Sequence, residues 1–358
     1  MTNKKILIVS PSLKIGGIER ALTVLANYFV TRGYEIIFIS CLSGDKFYSL
    51  HENVRLVEPN FKNTGGIQKI FFYIKLLFFL RSEIKKASPG VVLSFGDWFN
   101  PIVLFSLLGL KYPVYISDRT SPDYKFNIIT SLGKKLLYPK SSGFIAQTKR
   151  SADFKTQQFG DKLNIKIISN AIRKTSVVPD SKQNILLFVG RFAWEKAPER
   201  LLEAFSKLAN KTDWKLHFAG DGPMLNEMKL FSKELKIDDK VVFHGAVSNI
   251  DELYSKASIY AIPSKVEGFP NALCEAMSFA LPCICFDDIP YEDIIINGHN
   301  GFVIPDGNIK LFSEKILELI NNESLRFEVG LNAQQFVQKL SPETIGEEYL
   351  KFITEKMK

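Results

Sequence analysis

Two glutamates stand eight positions apart in the stretch SKVEGFPNALCEAMSFALP, residues 264–282. Glu267 precedes a Gly-Phe-Pro turn, and Glu275 falls inside the helical pattern that follows. A carboxylate at the mouth of a helix lies beside backbone N–H groups that hold a phosphate or a sugar hydroxyl. A carboxylate about one turn deeper accepts hydrogen bonds from a diol such as a ribose. The spacing predicts two parts of one ligand site; the alternative is that Glu267 acts only on the helix dipole and Glu275 is solvated.

Two cationic side chains follow another apolar run. Arg191 and Lys196 lie five positions apart after ILLFVG, and Pro198 then opens a helical pattern. Loops at the carboxyl ends of parallel strands line the ligand crevice, so both side chains are placed to converge on one anion such as a diphosphate. Spacing alone leaves a second interpretation, a surface loop with unrelated charges.

Glycines mark two more strand-to-helix corners. Gly16 and Gly17 precede a helical pattern, where backbone N–H groups that approach closely suit a phosphate. The same pair also suits a tight turn without a ligand. Gly-Asp-Gly-Pro at residues 220–223 makes a turn whatever the function.

The candidate residues sit between elements of a repeated pattern. Short runs rich in Val, Ile and Leu alternate with helical patterns, which is typical of parallel sheets buried on both faces. The pattern occurs twice, so we predict an α/β protein of two domains with a cleft between them. The predicted strands cover residues 6–10, 35–41, 54–59, 91–95, 114–118, 143–148, 165–171, 185–190, 214–220, 241–246, 257–264, 281–287 and 301–306.

The chain of 358 residues suits two domains in length as well. We predict an N-terminal domain over residues 1–172, a polar, proline-bearing linker over 173–184 and a C-terminal domain over 185–338. A C-terminal helix over 339–358 is expected to pack back toward the N-terminal domain. Four cysteines indicate a reducing compartment, and Cys283 and Cys285 fit a buried strand better than a metal site.

Positive charge is concentrated in the first half. Residues 1–180 carry 26 lysines and arginines against 12 aspartates and glutamates, which indicates an anionic partner or a solvated surface. Residues 66–87 are apolar with interspersed cations, and residues 133–140 add more. The segment suits either a helix in a membrane interface or a core helix with snorkelling lysines. The cations of residues 66–87 are Lys69, Lys75, Arg81, Lys85 and Lys86.

No run is long and apolar enough for a membrane span, and the N-terminus reads as a first strand rather than a signal peptide. A cytoplasmic protein is therefore expected, attached peripherally to the inner face of the cell membrane if the interfacial interpretation holds.

The motifs as a set resemble those of the retaining glycosyltransferases of family 4, which have the GT-B architecture of two facing Rossmann-like domains. The match runs through nearly the whole chain. It is carried by Gly16-Gly17 with Glu19-Arg20, Gly190-Arg191 with Lys196, Gly220-Asp221-Gly222-Pro223, Glu267-Gly268-Phe269-Pro270, the pair Glu267 and Glu275, and Asn297-Gly298 with Gly301.

The resemblance implies roles for these residues. The N-terminal domain would lie on the acceptor side, and the C-terminal domain would bind the nucleotide sugar. Arg191 and Lys196 would bind the donor diphosphate and Glu267 the transferred sugar, as the catalytic residues, and Glu275 would bind the ribose. Arg119 stands where many relatives place a histidine, and it is expected to bind an anionic group of the donor sugar or the acceptor. The remaining donor-binding residues implied by the resemblance are Gly16, Gly17, Gly268, Phe269, Pro270, Asn271, Ala272 and Leu273.

The implied activity is transfer of a hexosyl or N-acetylhexosaminyl group, with retention, from a nucleotide sugar to a lipid-diphosphate-linked glycan of a surface polysaccharide such as O-antigen, or of a glycoprotein. A UDP-linked N-acetylgalactosamine, galactose or gluco form is the favoured donor. The sequence contains no Asp-x-Asp, so Arg191, Lys196 and helix N-termini are expected to replace a metal, with no cofactor and no nucleic acid partner. The alternatives are a nucleotide-sugar epimerase of the same architecture and a non-catalytic glycan-binding subunit.

Overall fold

The structure of the chain is a computed structural model. It describes residues 3–14, 16–62, 65–66, 68–172 and 182–357. The chain divides into two units. The first comprises Met1–Ala171 and Pro342–Lys358, and the second comprises Ile172–Ser341. Of the predicted linker over 173–184, residues 173–181 lie outside the described part of the chain.

The first unit is built on a seven-stranded sheet within the described residues. Its strands are β1 (Lys5–Ser10), β2 (Glu35–Ser40), β3 (Val54–Val57), β4 (Val91–Phe95), β5 (Val114–Ser117), β6 (Gly143–Ala146) and β7 (Ile165–Ile167). Its helices up to this point are α1 (Gly17–Thr31), α2 (Gln68–Ala87), α3 (Phe99–Ser106), α4 (Ile128–Leu137) and α5 (Lys149–Phe159). The strand order is β3-β2-β1-β4-β5-β6-β7, and every pairing is parallel.

The second unit repeats the design with six parallel strands in the described residues. Its strands are β8 (Ile185–Val189), β9 (Lys215–Ala219), β10 (Val241–Phe243), β11 (Ile259–Ile262), β12 (Cys283–Phe286) and β13 (Phe302–Ile304). Its helices are α6 (Pro198–Ser206), α7 (Leu225–Glu234), α8 (Ile250–Lys256), α9 (Asn271–Ser278), α10 (Ile309–Asn321) and α11 (Glu323–Val337). The order is β10-β9-β8-β11-β12-β13.

The apolar runs form strands because helices cover both faces of each sheet. Successive strand residues point to opposite faces, yet Ile6, Leu7, Ile8 and Val9 are all completely buried. Each of the thirteen predicted runs overlaps one observed strand, and twelve of them contain it entirely; β1 begins one residue before its run. Most strands end before the predicted run does, since residues such as Asp118 and Gly190 already belong to the loops at the carboxyl edge.

The strand order places a topological switch point in each sheet. Chain direction across the sheet reverses between β1 and β4 in the first unit and between β8 and β11 in the second. In open α/β sheets, ligands bind outside the carboxyl ends of the strands at this point. The loops after β8 and β11 are therefore the first place to look for a site in the second unit.

The last helix, α12 (Pro342–Thr354), packs on the first unit. Tyr349 is 1% exposed, with its ring 6.1 Å from that of Phe95, and the ring of Phe352 lies 5.0 Å from that of Tyr115. The hydroxyl of Tyr28 on α1 donates to Glu347 at 2.7 Å. The chain thus returns from the second unit to complete the core of the first.

Candidate active site

An ion pair joins the two loops at the switch point of the second unit. Lys196 ends a short 3-10 turn after β8, and its Nζ donates to Oε1 of Glu267 at 2.6 Å. The same oxygen accepts a hydrogen bond from Oγ of Ser264 at 2.9 Å. Glu267 is 9% exposed, so its carboxylate is held by a cation and a hydroxyl rather than by solvent. The interpretation that Glu267 acts only on a helix dipole does not fit this contact.

Backbone contacts fix the two loops to each other. The N–H groups of Lys265 and Val266 both donate to the carbonyl of Glu195, at 2.9 and 3.2 Å. Ala197, fully buried, adopts the left-handed conformation (φ 45°, ψ 49°) between Lys196 and the first residue of α6. Such a conformation costs energy for a residue with a Cβ and is found where the surrounding structure enforces it. The loop therefore holds Lys196 in a defined orientation.

Arg191 pairs with a different carboxylate from the one that holds Lys196. Its guanidinium hydrogen-bonds to Glu195, and the Arg191 side chain is 67% exposed. Burial raises the pKa of Glu195, but the hydrogen bond from Arg191, a backbone hydrogen bond and the charges of Arg191 and Lys196 together lower it below its ordinary value. The structure thus places both predicted cations at one strand end, each with its own acidic partner.

The Gly-Asp-Gly-Pro motif supports the Arg191 loop. Gly220 and Gly222 have φ values of +140° and +154°, and a Cβ on either would collide with the carbonyl of Gly190 or Phe192. The backbone N–H of Phe192 donates to the carbonyl of Asp221 at 2.9 Å. Only glycine permits this close approach, so the motif positions the loop that carries Arg191.

Helix α9 carries the second glutamate. Glu275 is 7% exposed, and the hydroxyl of Tyr254 lies 3.4 Å from its Oε2, so the interpretation as a solvated helix residue is wrong. Pro270 immediately precedes the helix, as the last residue of the Gly-Phe-Pro turn. The helix ends at Ser278, two residues before Ala280, which adopts a positive φ of 56°.

The amino end of α9 supplies part of the predicted amide cradle. The N–H of Asn271 donates to the carbonyl of Phe269 at 2.9 Å. The N–H groups of Ala272 and Leu273 belong to the first turn, where a helix offers no intrahelical acceptor. Of the first-turn amides, these two are the better placed by position to meet a ligand.

Gly16 and Gly17 stand at the start of α1 in the first unit. Oγ of Ser12 donates to Oε1 of Glu19 at 2.7 Å, and a Cβ on Gly16 would collide with the Glu19 carboxylate. The N–H of Gly16 lies 3.4 Å from the hydroxyl of Tyr48. A carboxylate thus lies at the helix terminus that was predicted to suit a phosphate.

Arg119 is held by its own unit. One guanidinium nitrogen hydrogen-bonds to Asn170, another donates to the hydroxyl of Tyr349 at 2.9 Å, and the group stacks 3.6 Å from the ring centre of Phe95. Burial lowers its pKa. In the described residues its Nε has no hydrogen-bond partner. These contacts tie the ends of β4, β5 and β7 to α12, whereas an anion-binding role for Arg119 stays a prediction.

A buried charge cluster in the first unit was missed by the sequence analysis. Asp97 follows β4 and Asp118 follows β5, and Lys134 Nζ contacts both, at 2.6 and 3.0 Å. Lys155 on α5 adds a contact of 2.7 Å to Asp118, and Tyr138 donates to the same carboxylate. The available signal was an aspartate at or just beyond the end of each of two apolar runs: Asp97 lies two residues after the run 91–95, and Asp118 is the last residue of the run 114–118.

The cluster shifts the pKa values of its two aspartates in opposite directions. Burial raises the pKa of Asp97, and the neighbouring Asp118 raises it further against the effect of Lys134. Burial alone would raise the pKa of Asp118 too, but Lys155 and Lys134 hold it well below its usual range. Asp97 also accepts the backbone N–H groups of Arg119 and Thr120, at 3.0 and 3.1 Å. Asp97 thereby positions the loop after β5.

Comparison with known proteins places these features in context. The profile of the family described as Glycosyl transferases group 1 matches residues 170–336. Over 362 aligned residues the chain is 30% identical to a protein of Campylobacter jejuni, and 98% of each chain is covered. That protein is named GalNAc-alpha-(1->4)-GalNAc-alpha-(1->3)-diNAcBac-PP-undecaprenol alpha-1,4-N-acetyl-D-galactosaminyltransferase.

Solved structures share the fold. S. aureus TarM superposes with a TM-score of 0.84 at 14% identity over 99% of both chains. HepE from Anabaena, solved in complex with UDP, gives a TM-score of 0.79 at 16% identity over 98% of this chain and 99% of its own. At such identities the likeness concerns the fold. The predicted GT-B class, with two Rossmann-like parallel-sheet units, is confirmed.

Proposed function

Because this chain belongs to the glycosyl transferases group 1 family and is a glycosyltransferase, we propose that it transfers a sugar from a nucleotide diphosphate sugar to a lipid-diphosphate-linked glycan in surface polysaccharide or glycan synthesis. The observation that carries the donor assignment is the Lys196–Glu267 pair at the switch point. A cation for a diphosphate and a carboxylate for a sugar hydroxyl lie within one hydrogen bond of each other. The lipid-linked acceptor is supported by the name of the Campylobacter relative.

The residues divide the donor among them. Lys196 and Arg191 bind the diphosphate, Glu275 accepts hydrogen bonds from the ribose, and Glu267 holds the transferred sugar together with the amides that open α9. UDP is the proposed nucleotide, supported by the UDP complex of the structural neighbour HepE. N-acetylgalactosamine is the first donor sugar to test, because the Campylobacter relative is named for its transfer.

The proposed chemistry is substitution with retention at the anomeric carbon. The bond between this carbon and the diphosphate oxygen breaks, and its electron pair leaves with UDP. The acceptor hydroxyl bonds to the same carbon from the same face and passes its proton to the departing phosphate oxygen. Lys196 and Arg191 stabilise the negative charge that grows on the diphosphate. These cations take the place of a metal ion in this proposal, so no cofactor is required.

The activity is testable with the purified chain. UDP release is measured for UDP-N-acetylgalactosamine, UDP-N-acetylglucosamine, UDP-galactose and UDP-glucose, each with and without an undecaprenyl-diphosphate-linked N-acetylgalactosamine acceptor and in excess EDTA. We expect acceptor-dependent release that EDTA leaves unchanged and a product whose NMR spectrum shows the donor's anomeric configuration. Donor isomerisation without an acceptor would favour the epimerase, a strict Mg²⁺ requirement would overturn metal independence, and no turnover of any donor would favour the binding subunit.

Glu275 gives a separate prediction for the nucleoside end of the site. Glu275→Gln keeps an acceptor but loses the charge-assisted hydrogen bonds to a diol, so UDP binding should weaken by about 1 to 2 kcal/mol. Calorimetric titration with UDP measures the change. Glu227→Gln, on α7, serves as a control with the same chemical change. Equal UDP affinity in wild type and Glu275→Gln would remove Glu275 from the site.

An apolar surface on the first unit suggests where the lipid-linked acceptor lies. Helix α3 packs against both α2 and α4, and all three expose large apolar side chains. We call this surface the outer apolar face. It comprises Ile70, Phe71, Ile74 and Phe78 of α2, Phe105 and Leu108 at the end of α3, and Ile128, Ile129, Leu132 and Leu136 of α4.

Helix α2 carries two apolar stripes. The segment therefore has features of both predicted alternatives, a core helix and a helix in a membrane interface. Phe72, Leu76, Leu80 and Ile84 recur every four residues and are buried in the core. A second stripe on the outer apolar face includes Phe78, which is 70% exposed. A helix with one stripe in the core and another in solvent has apolar surface left to bury.

The charges beside the outer apolar face point to an anionic bilayer as the occupant. Lys69, Lys75, Lys85, Lys86 and Lys135 are exposed on α2 and α4. None of the helices in the described ranges is sufficiently long and apolar to traverse a bilayer. We therefore propose peripheral attachment to the inner face of the cell membrane. Two cations of the sequence analysis are excluded: Arg81 donates to the carbonyls of Ser106 and Leu108, and Lys134 lies in the buried charge cluster.

Vesicle flotation tests this attachment. Each lysine near an anionic leaflet contributes about 1 kcal/mol, or roughly fivefold in the partition coefficient. We expect salt-sensitive binding to vesicles of phosphatidylglycerol and phosphatidylethanolamine that is lost on changing Lys69, Lys75, Lys85 and Lys86 to glutamine. The control changes Lys207, Lys211, Lys229 and Lys233, exposed on the second unit, to glutamine. Wild-type protein that stays off these vesicles at low salt would refute the membrane proposal.

A further inference from the structure

A cavity lies within the first unit beyond the carboxyl ends of β4 and β5. Its volume of about 510 Å³ falls within the range of small-molecule sites, about 300 to 1,000 Å³. The buried charge cluster forms one side, the loop of residues 120–126 another, and helices α4 and α5 the rest. None of the residues that carry the proposed donor site lines it.

The charges of the cavity wall are balanced. Three aspartates (Asp97, Asp118 and Asp123) and three lysines (Lys125, Lys134 and Lys155) line it, and Asp123 also pairs with Arg150, outside the lining, at 2.8 Å. Lys134 and Lys155 are 5% exposed, and their charges are neutralised by ion pairs with Asp97 and Asp118 at 2.6 to 3.0 Å. A diphosphate brings about two negative charges that this lining does not offset. A neutral ligand therefore fits the wall better than an anion.

Aromatic rings and hydroxyl groups both line the same cavity. Tyr124 of the loop and Phe154 of α5, 45% and 39% exposed, are both part of its lining. The ring of Phe126 lies 4.8 Å from that of Tyr124. The ring of Trp98 packs against both, 5.8 Å from Tyr124 and 5.1 Å from Phe126. The polar lining includes Thr120, Ser121, Ser131, Ser151 and Gln158. A pyranose ring has the complementary chemistry, since its C–H faces are apolar and its rim carries hydroxyl groups.

Helix α4 connects the cavity to the outer apolar face. Ser131 and Lys134 line the cavity, while Ile128, Ile129 and Leu132 of the same helix are exposed to solvent. A glycan whose lipid lies against the outer apolar face would thus meet the cavity within the width of one helix. We propose that this cavity binds a neutral pyranose of the acceptor glycan, an inference that rests on the proposed transferase function.

Saturation-transfer NMR on the full chain tests the inference with methyl α-glycosides of N-acetylgalactosamine, N-acetylglucosamine, galactose and glucose, and with pyrophosphate as the anionic competitor. We expect at least one glycoside to bind and pyrophosphate not to displace it. Tyr124→Ala and Phe154→Ala should each weaken binding by about two- to tenfold. Tyr124→Phe, which keeps the ring, should retain binding. Phe327→Ala removes an exposed aromatic side chain from α11 of the second unit, outside the cavity lining, and should have no effect.

Three results would overturn the inference: no glycoside binds, Tyr124→Ala and Phe154→Ala bind glycosides like wild type, or pyrophosphate displaces the glycoside. Thermal melts of each variant show whether a loss of binding reflects unfolding. If Tyr124→Ala unfolds, the binding of glycosides to Tyr124→Phe is the result that tests the inference. UDP titration of the same proteins separates this test from the proposed function. Normal UDP binding and turnover without glycoside binding would contradict only the proposal that the cavity binds a pyranose. Glycoside binding without turnover of any donor would contradict only the proposed transfer reaction.

Discussion

Replacing Lys196 by alanine should lower kcat/KM by about 30- to 900-fold, a loss of roughly 2 to 4 kcal/mol of transition-state stabilisation. The diphosphate gains negative charge as the anomeric bond breaks, and Lys196 is a preorganised cation held 2.6 Å from Glu267 by two loops that are bonded to each other. Arg191→Ala removes the second cation, and a loss of the same order is expected. UDP release under kcat/KM conditions measures both.

Removing Lys196 also removes a partner of Glu267, whose side chain is 8% exposed. A thermal melt of each variant and the double change Lys196→Ala with Glu267→Gln therefore separate a lost cation from a stranded carboxylate. Lys207→Ala, at the exposed end of α6, is the matched control and should behave as wild type. Near-normal kcat/KM in both Lys196→Ala and Arg191→Ala would eliminate the diphosphate assignment.

The strands and their parallel pairing follow from local sequence, because a run such as ILIV is buried on both faces only in a covered parallel sheet. Their order in each sheet does not, because it depends on contacts between distant parts of the chain. The position of Lys196 and Glu267 in loops at the carboxyl ends of two strands was predictable from the same local patterns. Their direct pairing was not, since 71 residues separate them and spacing gives no distance across two loops.

Which individual polar side chains are buried could not be predicted from the sequence. Lys134 and Lys135 are adjacent and chemically identical, yet one is buried with two carboxylates and the other is exposed. Successive helical residues point about 100° apart, so which lysine turns inward depends on where α4 packs. Arg119 is a similar case, because its partners Asn170 and Tyr349 come from distant parts of the chain.

Replacing Lys134 by methionine should destabilise the first unit by about 3 to 5 kcal/mol. The change leaves Asp97 and Asp118, 1% and 5% exposed, with Lys155 as the remaining lysine of the cluster. An uncompensated charge in a buried site costs far more than a surface ion pair contributes. For a unit of this size the melting temperature should fall by about 6 to 20 °C, as followed by calorimetry. Lys135→Met, one residue along on the exposed side of α4, should leave the melt within a degree or two.

A second change distinguishes charge imbalance from lost packing. Asp97→Asn added to Lys134→Met leaves Asp118 paired with Lys155 at 2.7 Å, so the cluster is neutral again. The asparagine oxygen still accepts the backbone N–H groups of Arg119 and Thr120, which Asp97 accepts at 3.0 and 3.1 Å. The double variant should therefore melt well above Lys134→Met, although it carries one more substitution. If the double variant melts lower than the single one, the cluster is held by the shape of the lysine side chain and not by its charge.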